Sequence, residues 1–311
     1  MSRALPPPEW AVQRRLEDLV GKLESKYGDL RGRVEVARPG VMFDMIGGAD
    51  QAKSAISGLS YALRAPDTYR RWGIGPPRGG LLYGPPGNGK TLLAKALATT
   101  SEALFYHLRL APLTSRIGPA AAEVIKEVFQ LAASEGKGVI FFEDADALSL
   151  EHVLPPERAR EAAAPLVIGL CELLDGLRAF PGLLVLASTG RPDGIEPPLI
   201  APGRLDHLIE VPLPLAPAIR EIIEIHRMRA ESLAERTLFE PVDFDALVPR
   251  LAGMSGGEVC EVVRRALEAK VQAAGSGRDP GLVATADLLS AVDELRRVRD
   301  VVGKIRYGQY L

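Results

Sequence analysis

The chain has 311 residues, 47% of them hydrophobic, with 38 basic against 40 acidic side chains and a formal net charge of −2. That length accommodates about two domains and the apolar fraction supports a real core, which excludes a disordered chain. A balanced charge shows no polybasic face and is uninformative about partners, and no nucleic acid and no membrane are expected among them. No apolar run approaches the roughly 18 residues of a membrane span, and residues 1–10 lack a secretory hydrophobic region, so a cytoplasmic protein is expected. Cys171 and Cys260 stand singly on apolar-periodic segments, which predicts buried thiols rather than a disulfide or a metal pair.

In chain order, Pro6-Pro7-Pro8 closes a short leader and residues 9–30 read as a helix, with Trp10, Leu16, Leu19, Leu23, Tyr27 and Leu30 mostly three or four apart. The stripe suits packing on the chain's own domain, with a short coiled coil for assembly as the alternative. Residues 32–40 read as a linker with a short extended piece. A compact Gly-rich apolar segment, 41–48, then precedes a helix over 49–65.

An apolar run, Leu81-Leu82-Tyr83, leads into Gly84-Pro85-Pro86-Gly87-Asn88-Gly89-Lys90-Thr91 and an apolar-periodic segment from Leu92. This is the G-x-x-x-x-G-K-T phosphate loop between a buried strand and a helix. The glycines let backbone N–H groups curl around phosphate oxygens at a helix N-terminus. Lys90 is expected to reach the β- and γ-phosphates and the Thr91 hydroxyl to hold magnesium, so ATP with Mg2+ is the expected ligand.

Residues 118–133 read as a helix and 138–142 as a buried strand ending in Glu143-Asp144-Ala145-Asp146. Carboxylates at the end of an apolar strand beside a phosphate loop are what magnesium and a water-activating base require. A further strand runs through 183–189, and after Pro217 the pattern turns helical over 219–233, 243–251, 256–274 and 284–302.

These pieces in this order resemble the AAA family of P-loop ATPases, in the branch that holds the proteasomal ATPases, valosin-containing protein and the membrane-bound AAA proteases. The matching text is FDMIGG, RRWGIGPPRGGLLYGPPGNGKTLLAKALA, VIFFEDADAL, LLDGL, GRPDGIEPPLIAPGRLDHLIEVPLP, EIHRMRA and MSGGEVCEVVRRA, from Val41 to about Leu295. The resemblance implies an α/β P-loop domain, a parallel sheet with helices on both faces, over 41–214. It also implies a small all-helical lid over 215–302, after an N-terminal helix and linker at 1–40. A ring of self-associated subunits, hexameric in the family, would remodel protein substrates.

Residue by residue, the family's Asp-then-Glu pair is reversed here. By position Glu143 is the magnesium-side carboxylate and Asp144 the base. A displacement of about 1 Å at a reacting group can cost roughly a hundredfold in rate, so slow hydrolysis is one expectation and a compensating backbone shift the other. The family's water-positioning Asn falls on Gly190, leaving Ser188 or Thr189 as substitutes. Arg204 matches the arginine finger given to a ring neighbour, and His207 replaces the second arginine. Asp44, Gly47, His226 and Gly256 match the contacts to adenine and ribose. Residues 110–119 match the central-pore loop, where Arg116-Ile117-Gly118 lacks the family's aromatic residue and leaves Ile117 as the grip.

The ending Gly308-Gln309-Tyr310-Leu311 resembles the tag with which bacterial proteasome activators dock on the core particle, so 303–311 is expected to be a docking tail anchored by Gln309, Tyr310 and Leu311. Two functions therefore stand side by side. One is an ATP-driven motor serving a proteasome, and the other is a weakly hydrolysing nucleotide-binding scaffold that docks on the same core.

Overall fold

The computed structural model describes residues 8–152, 154–180 and 182–306. The chain divides into two compact units. One comprises the residues up to Phe43, Asp50–Pro86 and Lys90–Val211; the other comprises Asp44–Ala49, Gly87–Gly89 and the residues from Pro212 onward.

The first unit begins with α1 (Glu9–Tyr27) and β1 (Val34–Ala37), followed by α2 (Asp50–Arg64), α3 (Pro66–Arg71), β2 (Gly79–Tyr83) and α4 (Lys90–Thr100). β3 (Leu104–Arg109), α5 (Leu110–Ile117), α6 (Ala121–Glu135) and β4 (Gly138–Glu143) come next, then α7 (Pro156–Gly176), β5 (Leu183–Thr189) and β6 (His207–Glu210). The sheet order is β1-β3-β4-β5-β2-β6, parallel throughout except for the antiparallel edge strand β1. Central strands are apolar at nearly every position because both faces are covered. Leu81, Tyr106, Ile140, Phe142 and Val185 enter one core with α1, α5, α6 and α7, while α4 lies against β3, β4 and β5.

The short extended piece within residues 32–40 is β1, where Val34 and Val36 are buried and the segment pairs with β3. The first helix stops at Tyr27 rather than at residue 30 because Gly28 takes φ 83. Its Val12 and Leu16 are buried in the sheet's core, and Arg15 reaches the buried Glu135 carboxylate at 2.7 Å. Within residues 118–133, Gly118 at φ 54 and Pro119 break the pattern, so α6 starts only at Ala121.

The second unit is helical, with α8 (Ala216–Ala234), α9 (Phe244–Leu251), α10 (Gly256–Gly275) and α11 (Thr285–Arg306). Ile219, Ile223, Leu247, Val259, Val262, Leu288 and Val292 form its core, and one parallel bridge, Phe239 to Val283, ties its loops. No helix among the described residues is long and apolar enough to cross a membrane.

Candidate functional site

The site in the first unit is assembled at the C-terminal ends of parallel strands. β2 ends at Tyr83, and Gly84 then takes φ 135 with its Cα so close to the Val211 carbonyl that a Cβ would lie 2.3 Å from that oxygen. Only glycine fits there. At the start of α4 the Lys90 ammonium donates to the carbonyls of Gly84 (2.7 Å) and Pro85 (2.9 Å). Burial lowers its pKa, opposed by the charges of Asp144, Asp146 and Glu143. These carboxylates and Lys90 therefore share one electrostatic neighbourhood. Leu92, two residues on from Lys90, is an exposed side chain on the same helix.

β4 delivers the carboxylates. The Thr91 hydroxyl donates to Glu143 Oε1 at 2.8 Å, and Glu143 Oε2 is 3.0 Å from His107 Nε2 and 3.7 Å from Arg109 Nε. The His107 hydrogen bond, aided by that of Thr91 against the opposing effect of burial, holds the Glu143 carboxyl down to about 2. The Thr91 hydroxyl and the Glu143 carboxylate are hard oxygen donors brought side by side, the kind of pair that would hold Mg2+. A Mg2+ ion held by Thr91 and Glu143 would supply positive charge to the phosphate.

Asp144 sits in the left-handed region at φ 58, ψ 56, which turns its side chain off the strand direction. Partial withdrawal from water, reinforced by Glu143 and Asp146, raises its pKa. A pocket of about 150 Å³, lined by Asp144, Asp146, Ser149, His152 and Arg191, opens beside it. At about 30 Å³ per water, the pocket has room for several.

His107 and Arg109 are the groups that sequence reasoning missed. They lie two apart on the otherwise apolar β3, hence on one face, and Arg109 is in register with Glu143. Arg109 also pairs in a bidentate manner with Glu35 of β1, at 2.8 and 3.1 Å. The longer Glu143 is thus held from both sides, by α4 and by β3.

β5 gives a different result. Thr189 is buried, its hydroxyl donating to Asp146 Oδ1 at 2.6 Å and accepting from the Arg191 N–H at 2.9 Å. That hydroxyl is already committed, and Ser188 is buried within the sheet. A Cβ added at Gly190 would meet only Pro86 Cδ, at 3.9 Å, so the missing side chain is not forced by crowding.

Arg204 is engaged within its own chain. Nε and Nη2 donate to the two carboxylate oxygens of Asp175, each at 2.9 Å, and Nη1 to the Pro198 carbonyl at 2.7 Å. Ile117 ends α5 rather than standing in an open loop, and it packs partly buried against the core.

In the second unit, Asp44 lies in a short 3-10 turn, Phe43–Met45, and Gly47 packs so tightly that a Cβ would lie 2.7 Å from the Ile222 backbone nitrogen. The first turn of α10 is fully satisfied. The Gly256 N–H donates to Asn88 Oδ1 (3.0 Å), the Gly257 N–H to the Gly87 carbonyl (2.7 Å), and Ser255 with Glu258 closes a capping box. Asn88 Nδ2 is left as a buried donor with no partner among the described residues. This orphaned donor in a glycine-rich loop fits a bound phosphate oxygen. His226 meets Cys260, with 2.8 Å between Nε2 and Sγ. Gln309, Tyr310 and Leu311 lie outside the described residues.

Residues 80–213 match the sequence profile of the ATPase family associated with various cellular activities (AAA). The chain is also similar to proteasome-activating nucleotidases. That of Aeropyrum pernix is 32% identical over 94% of this chain and 69% of the relative. That of Methanothermobacter thermautotrophicus is 32% identical over 93% and 68%. That of Sulfurisphaera tokodaii is 33% identical over 84% and 64%.

Proposed function

The chain belongs to the AAA family of ATPases, and on that footing we propose that it is a ring-forming ATPase that binds ATP with Mg2+ and remodels protein substrates for a proteasome core particle. The observation that carries the ATPase half is the meeting of Thr91 with Glu143, with Lys90 and Asp144 in the same charged neighbourhood. The names of the relatives support the proteasome half. In this reading His226, Asp44, Gly47 and Gly256 face the nucleoside, and Asn88 joins the glycines on phosphate. Arg204 leaves Asp175 to serve a neighbouring subunit, as a guanidinium stabilises charge developing on a transferring phosphoryl group. Gln309, Tyr310 and Leu311 contact the core particle, a reading supported by their sequence resemblance alone. A cytoplasmic setting would keep the two free thiols reduced.

The test is co-sedimentation of the purified full chain with a proteasome core particle, with and without ATP, followed by degradation of an unfolded reporter. ATP-dependent association together with ATP-dependent degradation is expected, and absence of both would sink the proteasome half. Loss of association on removing residues 309–311 is expected if those residues dock.

One observation favours the weakly hydrolysing scaffold. Gly190 offers no side chain and the Thr189 hydroxyl is committed to Asp146. Since the position is uncrowded, Gly190→Asn is expected to fold normally and to raise phosphate release about tenfold, the worth of one added hydrogen bond of about 1.4 kcal/mol in the transition state. Unchanged release from a Gly190→Asn protein of normal melting temperature would show that water positioning does not limit turnover.

A further inference from the structure

His226 on α8 and Cys260 on α10 belong to the same helical unit, and their Nε2 and Sγ atoms are 2.8 Å apart. A contact between a neutral imidazole and a thiol holds one hydrogen, and the two ways of placing it differ in quality. The unprotonated nitrogen of imidazole is a strong acceptor, whereas thiol sulfur accepts only weakly. Placing the hydrogen on sulfur uses the strong acceptor, while placing it on Nε2 sets a good donor against a poor acceptor.

The surroundings keep both groups uncharged. Burial, with the charge of Arg229, lowers the pKa of His226, and burial pushes the Cys260 thiol up to about 11. Cys260 also packs against the helical core, which limits where its sulfur can go. With Nε2 accepting, the ring's own proton lies on Nδ1.

We propose that Cys260 is a positioning residue that fixes His226 as the Nδ1–H tautomer, so that the ring offers a bound nucleotide a hydrogen-bond donor and no acceptor. Such a donor suits a sugar oxygen or an unprotonated ring nitrogen of the base, and it discriminates against an exocyclic amine presented at the same place. The proposal rests on the reading of His226 as a nucleotide contact.

Long-range nitrogen–proton correlation spectra of the full chain, labelled with 15N at its four histidines and assigned with His226→Gln, read the tautomer directly. Nδ1–H is expected in the wild type and in Cys260→Ser, whose hydroxyl donates in place of the thiol. In Cys260→Ala the Nε2–H form is expected to become the major one. Affinity for a fluorescent ATP analogue is expected to fall about three- to tenfold in Cys260→Ala and to stay within about twofold in Cys260→Ser, the range of one modest hydrogen bond. An Nε2–H wild type, or a tautomer unaltered in Cys260→Ala, would overturn the assignment. Weakened binding in His226→Gln with undiminished binding in Cys260→Ala would overturn the positioning role. Undiminished binding in His226→Gln would instead overturn the nucleotide reading of His226, whatever the tautomer.

Discussion

Asp144→Asn is expected to cut steady-state phosphate release by about a hundred- to ten-thousandfold, the range of a lost general base, and to leave ATP affinity within about threefold. Its carboxyl lies in the neighbourhood of Lys90, beside a pocket with room for water, while Glu143 is held by Thr91 and His107. Among the described residues no hydrogen bond reaches the Asp144 carboxyl, which leaves it free to take a proton.

The pH dependence follows from the direction of its shift. A base works ionised, and a carboxyl with a raised pKa is protonated at a higher pH than an ordinary aspartate, so turnover should begin to fall above the usual range of about 3.9 as the medium is acidified. The stability effect has the opposite sense. A group whose folded pKa is raised contributes stability below its unfolded pKa and loses that contribution as pH rises through the folded value. Asn carries no charge and tolerates the left-handed backbone, so Asp144→Asn should be at least as stable as the wild type at neutral pH. Loss of turnover in a protein that melts no earlier separates a catalytic role from misfolding, whereas wild-type turnover would remove Asp144 from the mechanism.

Lys90→Ala is expected to weaken ATP binding by about a hundredfold, measured by fluorescence titration, and to abolish phosphate release. Hydrogen bonds to charged groups are worth about 1.5–3 kcal/mol, and about 1.4 kcal/mol is tenfold, so one or two contacts to phosphate account for that loss. The melting temperature should hardly move, because among the described residues the ammonium donates to two carbonyls of its own loop. Affinity within threefold of the wild type would mean that the loop does not hold phosphate.

Much of this site was legible before any coordinates. The glycines at 84, 87 and 89 specify a left-handed backbone, and their φ values are 135, 79 and 86. The apolar runs at 81–82, 139–142 and 183–187 specify strands buried on both faces. The helical pattern over 256–274 likewise matches α10, whose start is closed by a capping box of Ser255 and Glu258.

What the sequence hid are contacts between residues far apart along the chain. His107 and Arg109 stand 36 and 34 positions before Glu143, and they meet it only because β3 and β4 pair in parallel and in that register. Local pattern predicts a strand but not its partner. The Arg204 bond to Asp175 and the Cys260 contact to His226 are of the same kind, each joining two elements that chain order leaves apart.

By itself, then, the sequence determined the phosphate loop, the strand–helix alternation and the helical second unit, because these depend on backbone preference and hydrophobic period within a few residues. Only the tertiary structure decided which oxygen Thr91 meets, that Glu143 is bound from β3, that the Thr189 hydroxyl is spent on Asp146, and that Gly190 stands in open space. Hydrogen bonding and packing at close range depend on register and helix placement, and those are set by the whole core rather than by any stretch of chain.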